Sequence, residues 1–402
     1  MIREIAHHTG TVEGEVNVSG SKSESNRLLI LQSMYPNLSL RNLSNSDDTK
    51  YLARALSEIK PVIDISHAGT AMRFLTAYLS SREGDDIILT GSERMQNRPI
   101  RILVDALRSI GADISYVEKE GYPPLRIKGK RLHRSTVSIQ GNVSSQYISA
   151  LILIAPGLED GLNIELKGEI TSVPYIKMTL SLLKDIGVDF SWEDQWIRIK
   201  PKNHIEHKEI TVESDWSSAS YFYSLVALSK KGKIILSSYK KESLQGDSCL
   251  VEIYRNFGVV TEFEEDRIIL TKEDTGFAHL ELDLRDAPDL AQTIAVTCFG
   301  LGVPCDLKGL HTLKIKETDR LVALQQELEK LGADIRVTDE SLHLKAGNLI
   351  RENISIKTYD DHRMAMAFAP LSLRVPIRIE DAEVVTKSYT DFWSDFDSVL
   401  AD

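Results

Sequence analysis

The sequence predicts an α/β protein (α+β repeats) in which two domains are built from similar helix-and-strand units, six units in all. Its 402 residues exceed what one ordinary core organises, so two domains are expected. The chain also repeats one pattern, in which an amphipathic helix ends at a glycine and a strand-like run follows. These glycines are Gly111, Gly187, Gly258 and Gly332, at intervals of 76, 71 and 74 residues. A period near 70 in this chain predicts about six units, three in each domain.

Four segments carry this pattern, and each has apolar residues at helical spacing. Each segment then reaches a glycine that suits a left-handed helix C-cap, and a strand-like run follows. The four segments are Leu103–Ile114, Leu180–Phe190, Val251–Val260 and Leu324–Ile335. Two short strands are expected after each helix, for example at Trp196–Ile199 and Ile268–Thr271. Ordinary α/β helices could match such a pattern by coincidence, but the same order recurs here at similar intervals.

The formal net charge of −11 argues against a nucleic-acid-binding protein, whose affinity depends on a basic face. It leaves room for small anionic substrates, because a pocket can be locally cationic inside an acidic protein. The three cysteines, Cys249, Cys298 and Cys305, form no CxxC pair, and their sparse, odd number suits a reducing compartment. No cluster of histidines and cysteines has the spacing of metal ligands, so we expect neither a metal nor another cofactor.

The sequence also lacks the marks of a secreted or membrane protein. Its first residues, MIREIAHHTGTVEGEV, contain no apolar signal core. No run of about 18 uninterrupted apolar residues occurs, so no transmembrane helix is predicted. We therefore expect a cytoplasmic protein that associates with neither a membrane nor a nucleic acid.

Short polar turns rich in glycine, serine and basic residues precede several predicted helices. Their sequences are GSKSESNR at 20–27, AGTAMR at 68–73, RMQNRP at 94–99 and GNVSSQY at 141–147. The free N–H groups at a helix start attract anions, and a nearby lysine or arginine strengthens that attraction. A plain structural role is the alternative, because Ser21 and Glu24 fit a capping box and the pair Ser144 and Ser145 fits a helix cap.

Three further segments place charged residues close together in the second half of the chain. KETDR at 316–320 would set Lys316 and Arg320 on one face of a helix, where a surface ion-pair strip is the usual outcome. DDHRMAM at 360–366 carries a single histidine, which is more often structural than catalytic. Asp289, in DAPDLAQT, follows a proline that favours a helix start, where a carboxylate complements the helix dipole. Together, these segments and the polar turns predict a cleft lined by helix N-termini that binds small anions.

The chain resembles the 5-enolpyruvylshikimate-3-phosphate (EPSP) synthase family, because GSKSESNR, AGTAMR, RMQNRPI, GNVSSQY, KETDR and DDHRMAMA occur in the family's order. The resemblance extends from Gly20 to Lys387. It implies two domains, each of three βαβαββ-type units in an inside-out α/β barrel. It further implies that residues 1–20 and 214–402 form the first domain and residues 21–213 an inserted second domain. The active site would lie in the cleft between them, with phosphoenolpyruvate mainly on the first domain and shikimate 3-phosphate mainly on the second.

The resemblance implies a transferase that moves the enolpyruvyl group of phosphoenolpyruvate to the 5-hydroxyl of shikimate 3-phosphate and releases phosphate, in chorismate and aromatic amino-acid biosynthesis. By the matched motifs, Asp289 would be the base on the attacking hydroxyl, Glu317 the acid that protonates the enol methylene, and Lys22 a third catalytic residue. The residues implied to bind shikimate 3-phosphate are Lys22, Ser23, Arg27, Ser144, Ser145, Gln146, Ser172, Asp289, Thr312 and Lys316. The residues implied to bind phosphoenolpyruvate are Lys22, Gly69, Arg98, Gln146, Arg320, Arg363 and Lys387. No partner chain is implied, and we expect a monomer.

These residue types suit substrates that each carry a carboxylate and a phosphate monoester. A phosphate monoester brings about −1.5 to −2 near neutral pH, so the two substrates together bring roughly −5 to −6. Seven of the matched residues are cations and two are carboxylates, which leaves about +5 to offset the substrates. Arginine also gives a planar, bidentate grip on carboxylate and phosphate oxygens.

Two other functions stay open at this point. One is a UDP-N-acetylglucosamine enolpyruvyl transferase, which has the same fold but uses a cysteine just before an Arg-Pro dipeptide; residues 91–97 contain no cysteine. The other is a non-catalytic relative that only binds anions, although such a protein gains nothing from Asp289 and Glu317. The chain also departs from the family between Asp48 and Gly69, where it is too short for the usual hairpin. We therefore expect the first repeat unit to be trimmed.

Overall fold

The structure, a computed structural model, describes residues 1–8, 10–171, 173–276, 279–316, 318–347 and 349–400. It divides into two compact units, of which the first contains residues 1–19 and 213–402 and the second contains residues 20–212. The chain thus leaves the first unit after Ser19 and returns to it after Val212. Each unit has its own hydrophobic core, because the large cluster of buried apolar side chains in each one is made by residues of that unit alone.

Helices and strands alternate along the chain in both units. In the part of the chain described above, the α-helices are α1 (Lys22–Met34), α2 (Asp47–Ser57), α3 (Gly69–Ser80), α4 (Glu93–Gln96), α5 (Arg101–Ser109), α6 (Ser145–Ile154), α7 (Val173–Asp185), α8 (Trp216–Leu228), α9 (Leu250–Arg255), α10 (Ala291–Leu301), α11 (Arg320–Leu331), α12 (His362–Phe368) and α13 (Phe392–Ser398). The β-strands are β1 (Arg3–Ile5), β2 (Thr11–Val16), β3 (Leu38–Arg41), β4 (Val62–Asp64), β5 (Asp86–Thr90), β6 (Asp113–Tyr116), β7 (Leu125–Lys128), β8 (Thr136–Gln140), β9 (Leu162–Lys167), β10 (Phe190–Glu193), β11 (Trp196–Ile199), β12 (Lys208–Thr211), β13 (Lys231–Ser237), β14 (Val259–Glu264), β15 (Arg267–Lys272), β16 (Leu280–Asp283), β17 (Cys305–Lys308), β18 (Ile335–Val337), β19 (Leu342–Leu344), β20 (Ile354–Ile356) and β21 (Ile377–Ile379). None of these helices has the length and apolar character needed to cross a membrane.

Four sheets share one topology, in which two parallel strands are followed by an antiparallel hairpin. In spatial order they are β4-β5-β7-β6 and β8-β9-β11-β10 in the second unit, and β2-β13-β15-β14 and β16-β17-β19-β18 in the first. In the first of these sheets, Val62 lies beside Ile88 in a parallel pair and Ile87 lies beside Ile127 in an antiparallel pair. One α-helix lies between the two parallel strands in three of these sheets, whereas the second unit and α8 lie between β2 and β13; a further helix precedes each hairpin. This order is the predicted βαβαββ repeat.

Two smaller sheets are shortened versions of the same repeat. In the first unit β20 and β21 are parallel, and β1 pairs with β21 in the antiparallel direction; in the second unit β3 and β12 form a parallel pair. Only residues 58–61 separate α2 from β4, which leaves no room for a hairpin after α2. The prediction of a trimmed repeat between Asp48 and Gly69 is therefore confirmed. Among the described residues each unit holds three sheets, six in all.

Three helices lie buried in the core of each unit. In the first unit they are α8, α10 and α12, and in the second α1, α3 and α6, of which α3 is buried at every residue. The strands instead alternate, as in β8, where Val137 and Ile139 are buried and their neighbours in the strand are exposed. One face of a sheet thus packs on the helices and the other meets solvent. The predicted inside-out arrangement, with helices inside and sheets outside, is confirmed.

The glycines that end four of the helices have the predicted left-handed conformation. Their φ angles are +111° at Gly111, +76° at Gly187, +75° at Gly258 and +106° at Gly332. The helices that precede them are α5, α7, α9 and α11, and a strand begins one to three residues after each glycine. The repeated order of helix, glycine and strand is therefore confirmed.

The prediction that KETDR lies on a helix is wrong. Lys316 follows the 3₁₀ turn His311–Ile315, and α11 begins only at Arg320. The reason is Asp319, whose side chain accepts a hydrogen bond from the backbone N–H of Val322 and so caps the helix start. Lys316 and Arg320 therefore do not share a helix face.

Candidate active site

The six buried helices begin at polar segments of the sequence. Their first residues are Lys22 of α1, Gly69 of α3 and Ser145 of α6 in the second unit, and Trp216 of α8, Ala291 of α10 and His362 of α12 in the first. A helix start offers backbone N–H groups that have no partner within the helix, together with the positive end of the helix dipole. Each unit therefore carries the starts of three buried helices, but in the first unit the carboxylates of Asp215 and Asp361 already accept hydrogen bonds from backbone N–H groups at the starts of α8 and α12.

The serines before two of these helices do not cap them. Ser21 precedes α1 and Ser144 precedes α6, but neither side chain accepts a capping hydrogen bond. By contrast, the side chain of Asp361 accepts a hydrogen bond from the backbone N–H of Arg363 at the start of α12. The capping alternatives for these two serines are therefore wrong, and their hydroxyls have no capping role that would compete with a ligand.

Asp289 lies among basic side chains that come from distant parts of the first unit. Its Oδ1 accepts a hydrogen bond from Nη1 of Arg320 at 2.7 Å, and its Oδ2 accepts one from Nη2 of Arg363 at 3.1 Å. The Nζ atom of Lys316 lies 3.6 Å from Oδ1. Three segments thus meet at one carboxylate, so Asp289 does more than complement the dipole of the helix that follows it.

Arg320 is held on its other side by Asp361. Its Nε donates to Oδ2 of Asp361 at 2.5 Å, and its Nη2 donates to Oδ1 at 3.4 Å. Only 2% of the Arg320 side chain and 0% of the Asp361 side chain are exposed. A guanidinium group presents its donors in a planar fork, so it can bridge two carboxylates in a fixed orientation. The alternative of a surface ion-pair strip is therefore wrong for Arg320.

Arg363 lies between Asp289 and a second buried carboxylate, Asp247. Its Nη2 also donates to Oγ of Ser217 at 3.3 Å, and Ser217 donates a short hydrogen bond to Oδ2 of Asp247. Burial by itself lowers the pKa of Arg363, but the charges of Asp289 and Asp247 outweigh it and raise that pKa well above its usual range. The buried Nε of Arg363 has no hydrogen-bond partner among the described residues. Arg363 thus stays charged and keeps a donor for a ligand.

Two further predicted residues lie in the first unit. The Nζ atom of Lys387 donates to the backbone carbonyl of Asp360 at 2.7 Å. Thr312 lies in the 3₁₀ turn that precedes Lys316, and its buried Oγ1 has no hydrogen-bond partner in the described part of the chain. Glu317 lies outside the described residues, so its role stays a prediction.

In the second unit, Arg27 is buried against neutral oxygen atoms. Its Nε donates to Oγ1 of Thr179 at 2.7 Å, its Nη2 to Oγ of Ser149 at 3.0 Å, and its Nη1 to the backbone carbonyl of Ser23 at 2.7 Å. Burial lowers the pKa of Arg27 to about 10, despite the opposing charge of Glu24. The guanidinium charge is therefore poorly compensated, and an anion nearby would stabilise it.

Gly69, the first residue of α3, leaves the space that the Arg98 guanidinium occupies. A β-carbon on Gly69 would lie 3.0 Å from Cζ of Arg98 and closer still to Nη1. Arg73 donates to the backbone carbonyls of Gly69 at 2.9 Å and Pro99 at 3.5 Å, so it ties the helix start to the segment that carries Arg98. Burial, followed by the charge of Arg98, lowers the pKa of Arg73 to about 10. Two guanidinium groups at one helix start favour an anionic ligand.

Gln146 joins two helix starts of the second unit. Its Nε2 donates to Oγ1 of Thr70 at 3.1 Å, so the first turn of α6 contacts the first turn of α3. The other predicted residues at these helix starts are partly or fully exposed: Lys22, Ser23, Ser144 and Ser145. Ser172 lies outside the described residues.

Sequence reasoning missed four side chains that hold the predicted residues in place. Asp361 and Arg73 stand inside the segments DDHRMAM and AGTAMR, so attention to their charged neighbours could have found them. Ser217 belongs to a polar helix start, ESDWSSAS, and offers a weaker signal of the same kind. Asp247 offers no signal, because it reaches Arg363 only after the chain has folded its 3₁₀ turn against the start of α8.

The predicted site residues of the two units include groups that can bind anions and a carboxylate that can accept a proton. The arginines and lysines can bind carboxylate and phosphate oxygens, and Asp289 can accept a proton from a hydroxyl held beside it. No group of three histidine, cysteine or carboxylate side chains within the described ranges could hold a metal ion. The basic residues of each unit therefore suit small anionic ligands, and Asp289 of the first unit suits proton transfer from a hydroxyl.

Comparison with known proteins gives a consistent result. The sequence model of the family described as EPSP synthase (3-phosphoshikimate 1-carboxyvinyltransferase) matches residues 58–396. A protein from Bacteroides fragilis (strain YCH46) named 3-phosphoshikimate 1-carboxyvinyltransferase is 49% identical over 96% of this chain and 94% of its own length. A protein of the same name from Haemophilus influenzae (strain PittEE) is 36% identical over 96% of each chain.

Two solved structures have a similar fold. The EPSP synthase from Acinetobacter baumannii has a TM-score of 0.83 and 20% identity, covering 100% of this chain and 98% of the other. The enolpyruvyl transferase NikO from Streptomyces tendae has a TM-score of 0.74 and 14% identity, covering 100% of this chain and 97% of the other. At these identities the likeness concerns the fold alone.

Proposed function

We infer that this chain, which belongs to the EPSP synthase family, transfers the enolpyruvyl group of phosphoenolpyruvate to the 5-hydroxyl of shikimate 3-phosphate. The products are 5-enolpyruvylshikimate 3-phosphate and phosphate, and the reaction serves chorismate and aromatic amino-acid biosynthesis. The family match over residues 58–396 and the two relatives named 3-phosphoshikimate 1-carboxyvinyltransferase support this activity.

The structural observation that carries the proposal is Asp289 held between Arg320 and Arg363. A protein that only binds anions gains nothing from a carboxylate among its basic residues, because that carboxylate repels the ligand. In a transferase the same carboxylate has a task, since it can accept the proton of the attacking hydroxyl as that oxygen bonds to the enol carbon. The hydrogen bonds of 2.7 and 3.1 Å fix the orientation of Asp289 for this step.

The reaction is an addition followed by the elimination of phosphate, with no covalent intermediate on the enzyme. We assign Glu317 as the acid that protonates the methylene carbon, and Lys22 as a catalytic cation that contacts both substrates. Positioned acid and base groups usually contribute a factor of about 10²–10⁴. Holding two reactants in the correct geometry contributes more, roughly 7–11 kcal/mol of the barrier. Most of the rate enhancement therefore comes from the residues that bind the two substrates.

We assign the substrates to the residues that the matched motifs indicate. Phosphoenolpyruvate is assigned to Lys22, Gly69, Arg98, Gln146, Arg320, Arg363 and Lys387. Shikimate 3-phosphate is assigned to Lys22, Ser23, Arg27, Ser144, Ser145, Gln146, Ser172, Asp289, Thr312 and Lys316. The unpartnered Nε of Arg363 and the poorly compensated charge of Arg27 support the assignment of these two residues, and the charge of Arg73 supports an anion beside Gly69. They require residues of both units to act on one pair of substrates, and we propose that the active site is the cleft between the two domains.

The test is to mix the pure protein with shikimate 3-phosphate and phosphoenolpyruvate and to measure inorganic phosphate. Phosphate release that requires both substrates is the expected result. Release with UDP-N-acetylglucosamine in place of shikimate 3-phosphate would assign the protein to the other enolpyruvyl transferase. Binding of both substrates without any release would identify a non-catalytic relative.

We further propose that the protein works as a monomer in the cytoplasm. Its sparse cysteines suit a reducing compartment, and its family chemistry needs no second chain. Sedimentation velocity at micromolar concentration should give the mass of one chain, and cell fractionation should place the protein with cytoplasmic markers. A stable dimer or a membrane-bound fraction would contradict the corresponding half of this proposal.

A further inference from the structure

Asp247 is a buried carboxylate that the proposed reaction does not use. It lies in the 3₁₀ turn Gly246–Cys249, and only 8% of it is exposed. Its Oδ2 accepts a short hydrogen bond from Oγ of Ser217, in the first turn of α8. A buried carboxylate costs free energy unless its charge is compensated. Asp247 is connected to its nearest compensating charge, Arg363, through the Ser217 hydroxyl.

The directions of the hydrogen bonds make Ser217 a relay. An ionised carboxylate has no proton to give, so Ser217 donates its single hydroxyl hydrogen to Asp247. Its oxygen then accepts a hydrogen bond from Nη2 of Arg363 at 3.3 Å, because a guanidinium group can only donate. If Asp247 is protonated, it can donate to Ser217 instead, and the hydroxyl hydrogen of Ser217 becomes available to another acceptor. The protonation state of Asp247 thus determines whether the Ser217 hydroxyl can donate to a ligand beside Arg363.

Negative charge exceeds positive charge around Asp247. Asp289 and Asp215, the N-cap of α8, add negative charge, whereas Arg363 adds positive charge. Arg363 already forms an ion pair with Asp289 at 3.1 Å. Burial, followed by the charge of Asp289, raises the pKa of Asp247 to about 6. The neighbouring Cys249 is exposed as a residue, but partial burial of its thiol, followed by the charge of Asp247, raises the pKa of that thiol to about 12, so it adds no charge near neutral pH.

We propose that Asp247 takes up a proton from solvent when an anion binds to Arg363, and so acts as a positioning residue of the phosphoenolpyruvate site. The proposal rests on the proposed function only for the identity of the ligand. A bound carboxylate or phosphate adds negative charge to surroundings of Asp247 that are already negative. This addition favours the protonated form of Asp247. The bound anion then gains the Ser217 hydroxyl as a donor and loses a repulsive neighbour.

The experiment measures proton uptake when sulfate binds to the full-length protein. Sulfate is the probe because it does not titrate between pH 5 and 8, whereas phosphoenolpyruvate does. Calorimetric titrations at pH 6.5 in buffers of different ionisation enthalpy give the number of protons taken up for each sulfate bound. We expect uptake of roughly half a proton, and an affinity that tightens about tenfold as the pH falls from 8 to 6.

Asp247→Asn is the decisive variant, because the amide keeps an oxygen that accepts from Ser217 but takes up no proton. It should bind sulfate without proton uptake and with an affinity that does not depend on pH. Asp286→Asn, an exposed carboxylate of a nearby loop, should behave like the unmodified protein. Equal proton uptake by Asp247→Asn and the unmodified protein overturns the proposal, and so does pH-dependent sulfate binding that survives in Arg363→Gln.

Ser217→Ala tests the relay independently, should Asp247→Asn fail to fold. It removes the donor that stabilises ionised Asp247, so proton uptake should persist and move to higher pH. An unchanged pH range overturns the relay.

Kinetics separate this inference from the proposed function. Phosphate release together with unaltered uptake in Asp247→Asn defeats the inference alone. Loss of proton uptake in Asp247→Asn, with no phosphate release by the unmodified protein, defeats the proposed function alone.

Discussion

Both units bury arginines within the first two turns of helices, but they compensate the charges differently. In the first unit, Arg320 and Arg363 share the carboxylate of Asp289, and both are held by ion pairs. In the second unit, Arg27 and Arg73 donate to hydroxyl and carbonyl oxygens, and burial lowers the pKa of each to about 10. The first unit therefore compensates its buried guanidinium groups with carboxylates, and the second unit compensates its own with neutral hydroxyl and carbonyl groups.

This difference indicates two tasks. Neutral oxygens compensate a buried guanidinium incompletely, so a phosphate or carboxylate that binds in the second unit supplies what the protein lacks. In the first unit the arginines are already paired, and their ion pairs hold a carboxylate in the orientation that proton transfer needs. We infer that the second unit mainly provides affinity and that the first mainly provides positioning.

Asp289→Asn tests the positioning task and should have the largest effect. The amide keeps an oxygen that accepts from Arg320, but it cannot take a proton from the attacking hydroxyl. We expect kcat to fall roughly 10²–10⁴-fold, with KM for both substrates changed less than about threefold. Steady-state phosphate release measures both constants. Asp286→Asn, three residues earlier and exposed, is the matched control and should keep its kcat. A rise in KM without a fall in kcat would limit Asp289 to substrate binding and exclude it as the base.

Arg320→Met tests whether ion pairs compensate the buried charges in the first unit. It removes the cation that pairs with Asp361, whose side chain is 0% exposed. Removing one partner of a buried ion pair costs about 3–5 kcal/mol, because the other charge stays buried. Urea-induced unfolding measures the cost. Arg378→Met, which breaks the exposed pair with Glu4, should cost less than about 1 kcal/mol. A similar small cost for Arg320→Met would mean that Asp361 needs no partner.

Arg27→Met should cost less stability than Arg320→Met and more binding. The hydroxyls of Ser149 and Thr179 lie 2.9 Å apart and bond to each other, so removing Arg27 leaves neither without a partner. The free energy of unfolding should fall by about 1–2 kcal/mol, whereas the affinity for shikimate 3-phosphate should fall at least about tenfold. Urea-induced unfolding and calorimetry measure the two effects. Equal losses of stability in Arg27→Met and Arg320→Met would contradict the difference in charge compensation between the two units.

Local sequence patterns predicted the repeats but not the way in which the chain closes them. Glycines such as Gly111 and Gly332 end helices because a left-handed residue is needed there, and this requirement is visible in the sequence. The pairing of β2 with β13, which sets Val12 beside Gly232, joins residues separated by the whole second unit. No local pattern contains that pairing, so the length and the repeats predicted two domains, whereas the boundaries of the two units followed from the family resemblance alone.

The site was predictable to the extent that its residues stand at helix starts. The start of α11 was misplaced because the spacing of Lys316 and Arg320 satisfies a helical pattern, whereas the cap at Asp319 begins the helix later. Asp247 was missed for a different reason. Its importance lies in a contact with Ser217 that arises from tertiary structure, and an isolated aspartate in the sequence carries no sign of burial.

Gly69→Ala should have the smallest effect on stability and a clear effect on binding. The added β-carbon would displace the guanidinium of Arg98, which is the far end of a flexible, exposed side chain, and would lie 3.2 Å from Nη1 of Arg73, so a small shift lets the structure adapt. Alanine is also favoured over glycine in a helix by about 1 kcal/mol. We expect the free energy of unfolding to change by less than about 1 kcal/mol, while KM for phosphoenolpyruvate rises roughly tenfold.

Phosphate release and urea-induced unfolding measure the two effects of Gly69→Ala. Gly347→Ala is the matched control, because a β-carbon there would meet nothing within 4 Å, and its KM should not change. If Gly69→Ala leaves KM unchanged as well, Arg98 does not bind phosphoenolpyruvate. The second unit would then bind that substrate without its exposed arginine, and its affinity would have to come from the helix starts and the buried guanidinium groups.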